Sequence, residues 1–135
     1  MAGYSGTPLW KKLGYKAGLH ACVENPPANY IELLQLPAAI PVSWSARIQP
    51  GIEFYHLFVT SASELKKKLP AFRKKIDPAG TVWISWPKKS SGLSTDITED
   101  VIRQLALPLG FVDIKVCAVD ETWSGLKLVI RKELR

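Results

Sequence analysis

Apolar and polar positions along the chain alternate between near-continuous apolar runs and stripes that recur every three or four residues. The run FYHLFVT, residues 54–60, is dense in aromatic and β-branched side chains, the composition of a strand buried on both faces. Ser61 and Glu64 follow, three apart, the capping-box spacing that satisfies two backbone donors at a helix start. Leu65, Leu69, Phe72 and Ile76 then draw one apolar stripe, with Lys66, Lys67, Arg73 and Lys74 opposite, so a helix with a solvated basic face is predicted. Pro70 predicts a kink in it. Asp77-Pro78-Ala79-Gly80 ends that helix, and residues 81–86 read as the next apolar strand.

The same reading extends in both directions. The opening residues 1–18 predict a polar arm and one or two helical turns, with Thr7 as cap, Pro8 at the first helical position and Gly14 closing the far end. Leu19–Glu24 is an apolar run fit for a buried strand. After Asn25-Pro26-Pro27, residues 28–35 place Ile31, Leu34 and Gln35 at helical spacing. Prolines flank residues 42–46, an edge strand. Residues 95–107 predict a helix with Ile97, Val101, Ile102 and Leu105 inward, and with Asp96, Glu99 and Asp100 at the positive end of its dipole. Residues 111–119 and 126–131 are strands joined by a turn too short for a crossover, hence antiparallel.

Strands alternating with helices predict an α/β domain: a three-layer, Rossmann-like, mostly parallel sheet of about six strands with a C-terminal antiparallel hairpin. The 135 residues fit one domain, long enough to remove roughly two-thirds of its unfolded surface from water. A net charge of +6 makes anionic partners conceivable, yet the lysines are spread over several elements, as solubilising charge is. Cys22 and Cys117 sit in apolar runs and read as buried thiols. No charged-then-apolar leader and no long apolar span is seen, so a cytoplasmic protein is expected.

The run YHLFVTSASELKKKLPAFRKKIDPAGTVWISWPK, with the following helix and hairpin, resembles the second half of a class I S-adenosylmethionine (SAM)-dependent methyltransferase. That resemblance implies a strand order of 2-1-3-4-6-5 with the last strand antiparallel and inserted. GYSGTPLWKKLG, HLFVTS, WISWPKK, TDITEDVIRQLALPLG and VDIKVCAVDETWSGLKLVIRK are also similar to a bacterial domain family without an assigned activity, the domain of unknown function 3052. Methyltransferases carry a glycine-rich turn after strand one, where the cofactor approaches bare backbone, and an acid after strand two that holds its ribose. Here those places hold Asn25-Pro26-Pro27 and Ser45-Ala46-Arg47, which argues against SAM as cofactor.

Other chemistries leave fewer traces. His20 and His56 lie in apolar strands and read as core imidazoles. Glu99 with Asp100 and Asp120 with Glu121 are accounted for by a helix dipole and a turn. No metal-ligand spacing, phosphate loop or nucleic-acid-binding signature occurs, so no metal is expected and nucleic acid is not the expected partner. In doubly wound sheets ligands gather at the carboxyl ends of the strands. There, Asn25, Lys88, Lys89, Ser90, Ser91 and Thr95 form a candidate site for an anion or nucleotide. Tyr4, Trp10, Trp44 and Trp123 lie in arm, turn or edge regions, where exposed aromatics would favour a protein partner or a homo-oligomer. The expectation is a non-catalytic binding or interaction module, the alternative a divergent SAM-dependent methyltransferase.

Overall fold

The computed structural model describes residues 6–135, so Tyr4 and the first part of the expected arm lie outside the described residues. Six strands, β1 (Leu19–Glu24), β2 (Val42–Ser45), β3 (Ile52–Phe58), β4 (Ile76–Pro87), β5 (Phe111–Ala118) and β6 (Trp123–Ile130), form one sheet in the order β2-β1-β3-β4-β6-β5. β1 pairs in parallel with β2 and β3, and β3 with β4. β6 runs antiparallel between β4 and β5. The sheet is therefore mixed, with its antiparallel strand in the interior, the order that the methyltransferase resemblance implied.

Among the described residues four α-helices cover it: α1 (Leu9–Leu13), α2 (Tyr30–Leu34), α3 (Ala62–Lys75) and α4 (Glu99–Ala106). Leu65, Leu69 and Phe72 of α3 and Ile102 and Ala106 of α4 pack on one face with Tyr55, Ile84, Leu126 and Leu128. Leu9 and Leu13 of α1 and Tyr30 and Leu34 of α2 pack on the other with Phe54, Phe58 and Trp83. Alternate residues of β3 and β4 thus serve opposite layers, the period-two rule of a pleated strand. Trp83 is fully buried and donates its indole N–H to the Leu13 carbonyl at 2.8 Å, which fixes α1 to the sheet. Gly125 permits this, because a Cβ there would stand 3.2 Å from the Trp83 ring. Trp86 faces the other layer and is buried as well.

Several local expectations shift by a turn, each for a physical reason. Ile76 already pairs with Ile52, and the next pairing, Phe54 with Thr81, leaves residues 77–80 looped out inside β4. The turn read between helix and strand is this bulge, closed by the Ala79 N–H on the Asp77 carboxylate at 2.8 Å. Gly80 is required in it, since a Cβ would fall 2.9 Å from the Asp77 carbonyl oxygen. α3 continues through Pro70. α4 starts at Glu99, capped by the Thr98 hydroxyl, and not at Thr95. Asp96 consequently does not serve the α4 dipole: its carboxylate accepts the Ala62 N–H at the start of α3, 2.8 Å away. α2 buries Tyr30 and Leu34, whereas Ile31, expected inward, is 58% exposed. Pro8 stands at the cap position of α1 and Gly14 closes that helix in the left-handed region, φ 94°.

Candidate functional site

The carboxyl ends of the parallel strands carry the candidate residues, and their side chains are mostly engaged within the protein. Asn25 follows β1 with φ 56°, a left-handed conformation unusual outside glycine, and its amide donates to the Phe58 carbonyl at 3.4 Å. The Lys88 ammonium donates to the Asp120 carbonyl at 2.7 Å. Ser91 donates to the Lys88 carbonyl, closing a 3-10 turn over Lys89–Ser91, and Thr95 donates to the Thr60 carbonyl at 2.6 Å. Only Lys89 and Ser90 are exposed with side chains that bond to nothing among the described residues. Thus Asn25 is tied to the last residue of β3 and Thr95 to the segment just after it, and the Ser91 hydroxyl closes a turn.

A different part of the same edge is open. Val23, Pro26, Pro27, Ala28, Tyr30, Ile31 and residues 44–46 line a cleft of about 550 Å³, a volume within the range of small-molecule sites. Parallel pairing of β1 with β2, Ala21 opposite Trp44 and Cys22 opposite Ser45, brings the two stretches together. Trp44 is 43% exposed on its wall, and its ring also lies 5.6 Å from that of Tyr15. Of the tryptophans expected at a partner surface, Trp10 and Trp123 are half-buried, Trp123 edge-on to Phe58 at 5.1 Å. The cleft is apolar, and the polar atoms near it are few. The Ser45 hydroxyl shares a 2.6 Å hydrogen bond with His20 Nε2.

Behind the cleft runs a buried polar chain: Tyr15 to Tyr30 at 2.7 Å, Tyr30 to His56 Nδ1 at 2.8 Å, and His56 Nε2 to Ser85 at 2.7 Å. His56 is completely enclosed, and burial lowers its pKa to about 3. Burial likewise raises the phenol pKa values of Tyr15 and Tyr30. Every member stays neutral at physiological pH, both imidazole nitrogens of His56 are taken up by Tyr30 and Ser85, and the chain holds Tyr30 in place. Cys22 is buried, its thiol raised to about 11 by desolvation and by Glu24, and Cys117 is half-buried; both are free. Among the described residues no group of three His, Cys, Asp or Glu side chains could hold a metal ion, and no helix is long and apolar enough to cross a membrane.

With that geometry in view, the comparisons address the fold. No protein-family model and no curated protein matches the chain, so the likeness to the bacterial domain family rests on the quoted motifs alone. Solved structures do match. The magnesium protoporphyrin IX methyltransferase of Synechocystis PCC 6803 with bound SAM aligns at TM-score 0.59 and 10% identity, over 91% of this chain and 74% of that one. A ribosomal protein L11 methylase from Lactobacillus delbrueckii subsp. bulgaricus aligns at TM-score 0.56 and 12% identity, over 91% and 75%. LepI in complex with SAM aligns at TM-score 0.54 and 13% identity over 93% of this chain, which spans only 47% of LepI. The chain has an α/β methyltransferase-like fold.

SAM fits the cleft in part. Trp44, Ile31, Pro26 and Pro27 suit the flat apolar face of an adenosine. The turn of residues 25–27 does not suit the amino-acid end, because its two prolines have no N–H to donate. The lysines and hydroxyls near residue 90 stand out in the sequence, whereas the cleft depends on a β1–β2 pairing that local patterns do not encode.

Proposed function

We propose that the chain is a divergent SAM-dependent methyltransferase domain that seats the adenosine of its cofactor in the cleft beside Trp44. One observation carries the reading: a 550 Å³ apolar cleft opens at the carboxyl ends of β1 and β2, the edge where doubly wound sheets hold ligands, in a sheet of methyltransferase order. The Trp44 ring stacks on the adenine, an interaction of about 1–3 kcal/mol per base. The bound cofactor supplies an electrophilic methyl group. With prolines in place of amide donors, its amino-acid end is held weakly and extends toward solvent, which places the expected affinity at about 10–100 μM.

Calorimetric titration tests this. SAM and S-adenosylhomocysteine are expected to bind saturably, and Trp44→Ala to weaken both about tenfold or more. Absence of heat and of thermal stabilisation at millimolar SAM, with the protein folded, would overturn the reading.

A second reading is favoured by the Asn25-Pro26-Pro27 turn and by the missing acid after β2: a non-catalytic module that holds a nucleoside or an anion. In that case adenosine binds as tightly as SAM. If the anion site of Lys88 to Thr95 is used, phosphate stabilises the wild type and not the Lys88→Ala/Lys89→Ala variant.

A further inference from the structure

We propose that a second cavity, across α2 from the cleft, binds a small zwitterion with one carboxylate and one ammonium group, of the size of a free amino acid. The cavity measures about 270 Å³ and is bounded by α1, by α2 and by the end of β5 at Ala118 and Val119. α2 and its flanks form a wall of both spaces. Ala28, Tyr30 and Ile31 face the cleft, whereas Asn29, Glu32 and Gln35 lie on the cavity. At about 30 Å³ per water in the liquid, the space, open on one side to solvent, holds roughly nine waters, enough for an amino acid.

The chemistry of the wall selects the ligand. Lys12, half-buried, and Asn29, Glu32 and Gln35, all exposed, line the cavity, and none of these four side chains makes a hydrogen bond or ion pair among the described residues, so each is free to meet a ligand or water. The contrast with Thr95 and Asp96 is direct, since both of those are bonded to main chain across the edge. The ammonium of Lys12 on α1 and the carboxylate of Glu32 on α2 both line the cavity and do not pair with each other. A ligand carrying the complementary charges bridges them, its carboxylate toward Lys12 and its ammonium toward Glu32. Asn29 and Gln35 each add an amide able to donate and to accept. Gln35 lies in the left-handed region, φ 55°, a conformation uncommon for a non-glycine residue. The inference is independent of the nucleoside reading, because it uses none of the residues that line the cleft.

The test is an NMR titration of isotopically labelled protein with glycine, L-glutamate and L-lysine, and with acetate and methylammonium as the two halves of a zwitterion. At least one amino acid is expected to give saturable shifts at residues 29–35 and 118–119, with neither half-ligand doing so at the same concentration. Lys12→Met and Glu32→Gln are each expected to weaken that binding about tenfold or more, with melting temperatures unchanged. Trp44→Ala is expected to leave it intact. Three results would overturn the proposal: no shifts from any amino acid, shifts from acetate equal to those from the amino acids, or binding indifferent to Glu32→Gln.

Discussion

Beside β3 and β4 the carboxyl edge of the sheet is closed by its own side chains, whereas beside β1 and β2 it stands open. In the closed half, Thr95 bonds to the Thr60 carbonyl, Asp96 to the Ala62 N–H, and Lys88 to the Asp120 carbonyl. In the open half, Pro26, Pro27, Ile31 and Trp44 leave a cleft with few polar atoms. The closed half is rich in the residue types associated with anion sites, yet those groups satisfy the backbone donors and acceptors that helix starts and strand ends leave over. The open half is poor in such groups because proline and aromatic side chains bring none, and it holds the 550 Å³ cleft.

The largest expected effect concerns what supports the open half. Tyr30 lines the cleft and is bonded to His56. Unfolding releases a buried imidazole of pKa about 3 to its ordinary value near 6.5. Between those values the unfolded chain binds one more proton than the native state. Stability therefore falls as pH drops from 6.5 toward 3, by about 1.4 kcal/mol per pH unit. Denaturant midpoints from pH 6.5 to 5, above most carboxylate titrations, should show this slope in the wild type and lose it in His56→Gln.

A smaller effect belongs to the closed half. Asp96→Ala removes the acceptor at the start of α3 and should cost about 1–2 kcal/mol in chemical denaturation, with SAM affinity unchanged. A comparable loss of SAM affinity in this variant would show that the closed half touches the ligand. Smallest of all, Lys89→Ala and Ser90→Ala remove exposed, unbonded side chains and should change stability by less than about 0.5 kcal/mol. No phosphate binding is expected of the wild type or of either variant; phosphate protection that depended on Lys89 would favour the anion site instead.

Local patterns carried the fold further than the site. The run Leu19–Glu24 is a strand with those bounds, and the stripe of Leu65, Leu69 and Phe72 is the buried face of α3. Failures came where side chains act across the chain. Ser94-Thr95-Asp96 looks like a helix start, but Thr95 and Asp96 bond to residues 60 and 62, so α4 begins later. Of the stripe assigned to residues 28–35, Leu34 is buried as expected, but Tyr30 turns inward to reach His56 while Ile31 is left on the cleft and Gln35 is exposed. The cleft was hidden for the same reason. Residues 26–31 and 44–46 meet only through β1–β2 pairing, and an Asn-Pro-Pro turn beside a strand tryptophan reads, in one dimension, as ordinary packing.

The central claim is that ligand recognition belongs to the open half of the edge, and the indole N–H signals of the five tryptophans report on it most directly. In a SAM titration followed by NMR, the Trp44 indole signal and the amides of residues 28–31 are expected to move together and saturate, while the amides of residues 88–96 stay still. Saturable movement confined to residues 88–96, with Trp44 unaffected, would contradict the account.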